Sequence, residues 1–363
     1  MSRIMNMSVL TPITMRTSRK IMLLALLILI AGIDRLQARE EYSRVISKEY
    51  SVNPDAQLVI SNQYGKVHCN NWDKPMISVE VTLRVEASSE QSAQKLMDRI
   101  TIAMSGSPTL VDVRTTFDNG SFNGRSKVNV DYVINMPVSV NLELNNKFGD
   151  IYVNELNGKG KIMLSYGNME INKLGNSENF LEIKFSKANI KSIKGAVVKL
   201  SYSELEIDYA GSLRLDSKYS NLTANKVISL NVNMEGGKLD MENSSAVESR
   251  SKFSDLDITR IEKNLTLDIQ YGNCEIKEMP VDFGTIIINN KYADISIGIP
   301  ETASYLLDAD LKFCDLDFPE GKANFTQKIT GNTSKSYKAV IGKVANPTSK
   351  ITVRSEFGNV SLE

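Results

Sequence analysis

A short phrase recurs along the sequence: a polar residue, an aromatic, a small residue, a polar residue, then an apolar-polar-apolar triplet. It reads Lys147-Phe148-Gly149-Asp150-Ile151-Tyr152-Val153, then Ser165-Tyr166-Gly167-Asn168-Met169-Glu170-Ile171, then Lys184-Phe185-Ser186-Lys187-Ala188-Asn189-Ile190. It continues at Tyr202, Tyr219, Phe253, Tyr271, Tyr292 and Phe313, with Gly236 standing where an aromatic is due. From 148 to 313 the ten corners are spaced 18, 19, 17, 17, 17, 17, 18, 21 and 21 residues apart, and outlying copies sit at Tyr64-Gly65 and Phe357-Gly358. An alternating segment precedes each corner, as in Leu181-Glu182-Ile183-Lys184-Phe185 and Leu265-Thr266-Leu267-Asp268-Ile269. Period-two alternation means strands with one buried face, so two short strands joined at a corner fill one repeat. So short a unit cannot enclose a core alone, whereas stacked coils bury each apolar face against the next. The fold class that follows is all-β: a single-stranded β-solenoid, or β-helix, of about ten coils of 17–21 residues.

The corner chemistry carries two further expectations. The small residue after each aromatic is read as the one that enters an unusual backbone conformation, which Gly does freely and Asn or Asp tolerates. The aromatics continue the apolar alternation, so they are expected to point inward and stack as an internal ladder at about 4.8 Å per rung. Each ring buried in this way would contribute about 1.5–3 kcal/mol.

Residues 39–139 carry the phrase only once, near Tyr64, and read as an N-terminal α+β capping region. Ile77, Val79, Val81, Leu83 and Val85 alternate strictly, giving one long strand. Ser88 and Gln91 fit a capping box, with Ala93, Leu96, Met97 and Ile100 on one helical face. The stretch 119–124 reads as a turn or mobile loop. Residues 140–318 are the repeats, and 319–363 are expected to supply C-terminal cap strands, with Ile351, Val353, Val360 and Leu362 closing the other end. Caps are required because an open end exposes unpaired strand edges.

Residues 1–38 read as a signal peptide: Arg16, Arg19 and Lys20 precede an apolar run of 13 residues from 21 to 33, and Ala38 offers a cleavage point. The run is short for a span of about 20 residues. An uncleaved anchor is the alternative, because Leu36 stands where a small residue is preferred, and Met15 would give a more ordinary start. Cleavage removes Arg3, Arg16, Arg19, Lys20, Arg35 and Asp34 from a balance of 43 basic and 43 acidic residues. That leaves 38 against 42, a mildly acidic chain with no membrane span. Such a balance argues against nucleic acid, which demands a basic stripe. Cys69, Cys274 and Cys314 are too few and too scattered for a disulfide framework; buried free thiols are read, with a Cys274–Cys314 bridge left open.

The phrases Asn146-Lys147-Phe148-Gly149-Asp150-Ile151, Ser165-Tyr166-Gly167-Asn168 and Glu356-Phe357-Gly358-Asn359-Val360, with the leader and the strand–helix piece at 77–100, resemble the "putative adhesin" family of exported bacterial β-solenoid proteins. The resemblance covers nearly the whole mature chain. It implies an envelope location, in the periplasm or at the cell surface, and no catalytic residues.

Three sets of residues invite a chemical reading. Asp or Asn follows the small residue at 150, 168, 221, 255, 273, 294, 315 and 359. A calcium ladder there would need six to eight oxygens per ion, and one carboxylate per coil is too sparse. Asp255, Asp257, Asp294, Asp315 and Asp317 would offer the carboxylate pair of a glycan hydrolase or lyase, yet they fall on outward positions where solvated acids are ordinary. His68, the only histidine, adjoins Cys69 near Trp72, but neighbours on a strand point to opposite faces. No catalytic, cofactor-binding or metal-ligating residue is assigned. The expectation is a non-catalytic adhesin-like protein that binds an envelope glycan, a protein or another copy of itself. A glycan-active β-helix enzyme and an envelope-stress signalling accessory are the alternatives.

Overall fold

The computed structural model describes residues 39–118 and 127–363; the leader at 1–38 and the turn at 119–124 lie outside the described residues. The described chain is all-β apart from one short α-helix and one 3-10 turn.

The N-terminal part runs β1 (Glu40–Ser51), β2 (Gln57–Gln63), β3 (Val67–Asn71), β4 (Met76–Ala87), α1 (Glu90–Met97), β5 (Ile100–Gly106), β6 (Leu110–Phe117) and β7 (Val128–Met136). The repeats follow as β8 (Asn141–Lys147), β9 (Ile151–Leu156), β10 (Gly160–Ser165), β11 (Asn168–Leu174), β12 (Asn179–Lys184), β13 (Lys187–Ser201), β14 (Glu204–Lys218), β15 (Asn221–Glu278), β16 (Thr285–Ile297), β17 (Tyr305–Lys312) and β18 (Leu316–Asp317). The chain ends with β19 (Ala323–Thr330), β20 (Ser334–Ile341), β21 (Ser349–Glu356) and β22 (Val360–Leu362).

Successive copies pair in parallel along two ladders. Before the corner, Leu144 pairs with Ile162, Ile162 with Leu181, and Leu164 with Ile183, which pairs in turn with Leu200. After it, Ile151 pairs with Met169, Met169 with Ala188, and Ala188 with Leu205. Like residues mostly lie over like, and the inward rows of both ladders are buried and chiefly aliphatic, interrupted by Asn146, Ser217, Ser251 and Asn290. Each buried Leu or Ile contributes about 1.5–3 kcal/mol, so the inner rows are the main source of stability.

Both flanks differ from expectation at their boundaries. β2 and β3 already pair in parallel with β8 and β9, so residues 57–71 belong to the stack, and residues 72–139 are an excursion from it. That excursion closes the end together with β1: β7 adds to β3 in parallel and is followed by β4 and β1 antiparallel, while β6 adds to β2 in parallel and is followed by β5 antiparallel. The helix starts one residue later than its capping box suggests, with Ser89 as N-cap accepting from Ser92 N at 3.3 Å. At the far end β21 sits between β16 and β17, and β22 between β16 and β18. Ile351, Val353, Val360 and Leu362 are thus internal, and the antiparallel hairpin β19–β20 takes the outer position beside β17. A strand carrying the corner phrase at Phe357 finds a full complement of partners inside the stack, which no end position offers.

The aromatics do stack, but outside. Eleven of them, from Tyr64 to Phe357, take left-handed φ values between 48° and 63°, a region that bulky residues rarely enter. That one residue reverses the in–out parity: Leu144 and Asn146 point inward, Phe148 is turned out, and Ile151 and Val153 point inward again. Period-two reading carries the alternation straight through the corner, and so places the ring on the wrong side. Hydrogen bonds run through the turn, with Phe148 N donating to Ser165 O at 2.9 Å and Tyr202 N to Lys218 O at 3.0 Å.

The small residue has another purpose than the one expected. At Gly149, whose φ is not left-handed, a Cβ would lie 2.0 Å from the Gly65 carbonyl oxygen of the coil before. At Gly149 close approach between coils, not backbone freedom, leaves no room for a side chain, whereas Gly237 and Gly272 do take left-handed φ values of +103° and +144°. Where Ser replaces Gly, its hydroxyl links coils: Ser186 N donates to Ser203 Oγ at 3.2 Å and Ser203 N to Ser220 Oγ at 3.0 Å.

Candidate binding surface

The outward rings make a ridge along the corner. Tyr64, Phe148, Tyr166, Phe185, Tyr202 and Tyr219 stack in sequence, and beyond Gly236 the order is Phe253, Tyr271, Tyr292, Phe357 and Phe313. Centroids are 4.9 to 5.3 Å apart. All ten rings after Tyr64 are between 41% and 65% exposed. At the strand spacing, the ridge is about 50 Å long. Phe117 closes the first end edge-on against Tyr64 at 5.4 Å. Because each ring covers its neighbour's face, the ridge offers ring edges and phenol hydroxyls to the outside.

Charge differs on the two flanks. The position before the ring holds Lys at 147, 184, 218, 252, 291 and 312 against Glu at 235 and 356. Lys184, Lys218 and Lys291 meet Glu182, Glu235 and Glu356, whereas Lys147, Lys252 and Lys312 have no acidic partner among the described residues. Two positions after the ring stand Asp150, Glu204, Asp255, Asp294 and Asp315 against Lys66, Lys187 and Lys238. The lysine row is legible in the repeat itself, at the position before six of the aromatics.

The Asp and Asn row is a hydrogen-bonded ladder. Asp150 Oδ1 accepts from Asn168 N at 3.0 Å, Asp255 Oδ1 from Asn273 N at 3.0 Å, and Asp294 Oδ1 from Asn359 N at 3.1 Å. Each side chain thus satisfies an outlying amide of the adjoining coil. Partial burial works to raise the Asp150 pKa, but the bonds from Asn168 and the Lys66 ammonium outweigh it and hold the carboxyl below its usual value.

Asp257, Asp294, Asp315 and Asp317 do come together, with Glu275, around a shallow groove of about 550 Å³. Asp257 pairs with Lys238 at 2.5 Å, Asp315 pairs with Lys335 and Asp294 accepts the Asn359 amide, whereas Asp317 faces a second carboxyl, that of Glu363, whose pKa its charge raises. Asp255 belongs to the hydrogen-bonded row rather than the groove. The residues around His68 diverge: its exposed ring stacks on Tyr152 at 4.3 Å, and Cys69 is buried on the opposite face. Trp72 donates from Nε1 to Met76 O at 2.7 Å. Burial pushes the Cys69 and Cys274 thiols up to about 12, which removes their nucleophilic form at neutral pH. All three cysteines are free.

No family model matches the sequence, and no curated protein does. Among solved structures, the chain is similar to one described as a putative adhesin from Parabacteroides distasonis, at 10% identity and a TM-score of 0.33, covering 88% of this chain and 97% of that one. A second, described as a putative adhesin from Bacteroides fragilis, is 8% identical with a TM-score of 0.32 at the same coverages. A third, described as a putative lipid binding protein from Parabacteroides distasonis, is 10% identical with a TM-score of 0.32, again over 88% and 97%. Likeness at this level carries nothing about ligand or mechanism.

Proposed function

We propose that this chain is a single-wound β-solenoid of about ten coils, exported to the periplasm or cell surface, that acts by binding and not by catalysis. Residues 1–38 serve as its signal peptide, 72–139 and the β19–β20 hairpin as its end pieces. The carrying observation is the outward ridge: eleven aromatic residues hold a strained backbone region, and ten of their rings are left at least 41% exposed. A fold that needed only turns would use Gly or Asn there at lower cost. Together with a lysine row on one flank and an acidic row on the other, the ridge suits a long, regular partner such as an envelope glycan chain, or a repetitive protein surface. The pairing of Asp257 and Asp315 with lysines, and of Asp294 with the Asn359 amide, supports the non-catalytic reading.

The test is pull-down of envelope fractions by the purified protein and by a triple variant, Lys147→Glu with Lys252→Glu and Lys312→Glu, after protease shaving of intact cells has located the chain. Retention of an envelope component by the wild type and its loss in the variant is expected. Equal retention by both would overturn the ridge as the binding face. Glycan depolymerisation that disappears with Asp294→Asn would install an enzyme instead.

A further inference from the structure

The ridge has one missing rung. Gly236 takes φ of +74°, and Gly237 follows at +103°, so the backbone turns the corner without a ring. Lys218 and Glu235 are in register, which puts Gly236 one coil beyond Tyr219, and Phe253 follows at the same 17-residue spacing. Tyr219 stacks on Tyr202 and Phe253 on Tyr271, so their other faces look toward each other across the vacancy.

The vacancy cannot close by the coils moving together. Coil spacing is set by the backbone ladder at about 4.8 Å. Asn221 Oδ1 accepts from Lys238 N at 3.0 Å across this very step, and the Ser220 carbonyl oxygen would lie only 2.0 Å from a Cβ at Gly237. Only the side chains can respond, and one does. Tyr219 is tilted 19° from Tyr202, the largest angle in the stack, and a Cβ at Gly236 would meet its Cδ1 at 2.8 Å. Phe253, the other wall, is the most exposed ring of the ridge at 65%. Rings elsewhere repeat at 4.9 to 5.3 Å, so two rungs bracket the thickness of one flat ring, and a puckered sugar would have to force Tyr219 aside.

We propose that this slot binds a single planar aromatic ring, sandwiched between Tyr219 and Phe253. Beside the slot Glu235 is met by Lys218 at 3.9 Å, and Lys252 on the other side has no acidic partner among the described residues, so this flank keeps a net positive charge and favours a ring carrying an anionic substituent. This deepens the binding reading and rests on it for the slot's use in the cell; occupancy of the slot is testable by itself.

Saturation-transfer NMR on the purified protein uses indole-3-acetate as probe, with cyclohexaneacetate as the non-planar probe of equal charge. Transfer to indole-3-acetate should exceed that to cyclohexaneacetate by about fivefold and fall at least about threefold in Gly236→Tyr, which supplies the missing ring. Phe253→Leu, a change at an exposed wall, should lose the same signal if Gly236→Tyr fails to fold. No transfer to indole-3-acetate, equal transfer to the two probes, or undiminished transfer in the folded variants overturns the slot. Envelope retention with no ring binding would sink the slot alone, whereas ring binding with no envelope partner would leave the slot and sink the wider reading.

Discussion

The coil that ends at Tyr202 and the coil that ends at Gly236 have the same length and the same left-handed corner, yet only one of them carries a ring. Inside, they are alike: Ala188, Ile190, Ile193, Ala196, Val198 and Leu200 are buried in the first, and Leu222, Ala224, Val227, Leu230, Val232 and Met234 in the second. The inner rows proceed without interruption where the outer ridge fails. Folding therefore depends on the inward aliphatics, and the rings are an addition to a wall that closes without them.

Breaking the inner wall should have the largest effect. Leu200 is 1% exposed, and Leu200→Asp would bury a carboxylate in the inner wall, where the Ser217 hydroxyl is its polar neighbour in register but no cation lies among the described buried residues. We expect no folded protein on expression, a loss of more than about 4 kcal/mol. A native circular-dichroism spectrum with cooperative melting in this variant would refute the inward assignment.

Tyr202→Asp tests the ridge in the same coil. Inside the wall, that change would rival Leu200→Asp. On the ridge it removes two stacking contacts worth about 0.5–1.5 kcal/mol each and leaves the new carboxylate in water. The expected loss is about 1–3 kcal/mol with the fold retained, read as a modest fall in the denaturant midpoint. Failure to fold would mean that the rings hold the wall together after all.

Much of this comparison is legible in the sequence. The 17–21-residue period and the alternation around Leu181 and Ile183 announce stacked parallel strands, and the registers follow from it. The direction of the rings is not legible by that route, because Leu181, Ile183 and Phe185 alternate without a break and only a dihedral at Phe185 turns the last one out. The site suffers for the same reason: rings assigned to the core could not be read as a surface, and the lysines beside them then had no meaning. The late strand β21 was misplaced because its partners β16 and β17 are ordered by space rather than by chain position.

Gly236→Tyr should make the two coils equivalent. The new ring gains contacts with Tyr219 and Phe253 of about 0.5–1.5 kcal/mol each, while a side chain in the left-handed region costs about 1–2 kcal/mol. The balance runs from a loss of about 1 to a gain of about 2 kcal/mol, and since Tyr219 must swing back from the 2.8 Å contact with the new Cβ, a change within about 1 kcal/mol of zero is expected in the denaturant midpoint. A loss larger than that of Tyr202→Asp would show that the left-handed turn at 236 tolerates no side chain, in contrast to its eleven counterparts.

The smallest effect is expected in the row beside the ridge, and it is distinguished by its pH dependence. Asp150 accepts from Asn168 N and Nδ2 at 3.0 and 3.1 Å and lies 3.4 Å from Lys66 Nζ, which together hold its folded pKa below the ordinary 3.8. A carboxyl with a depressed folded value stabilises the protein above its unfolded value, and the contribution is lost as pH falls through the lower folded one. Asp150→Asn keeps an oxygen for Asn168 but removes the charge, so wild type should melt slightly higher than the variant at neutral pH. The two should converge only at a pH below the depressed folded value, where the carboxyl is protonated in both states. A difference that persisted unchanged there would assign the row's contribution to shape and hydrogen bonding alone, and the negative charge at Asp150 would then matter only to whatever lies against the ridge.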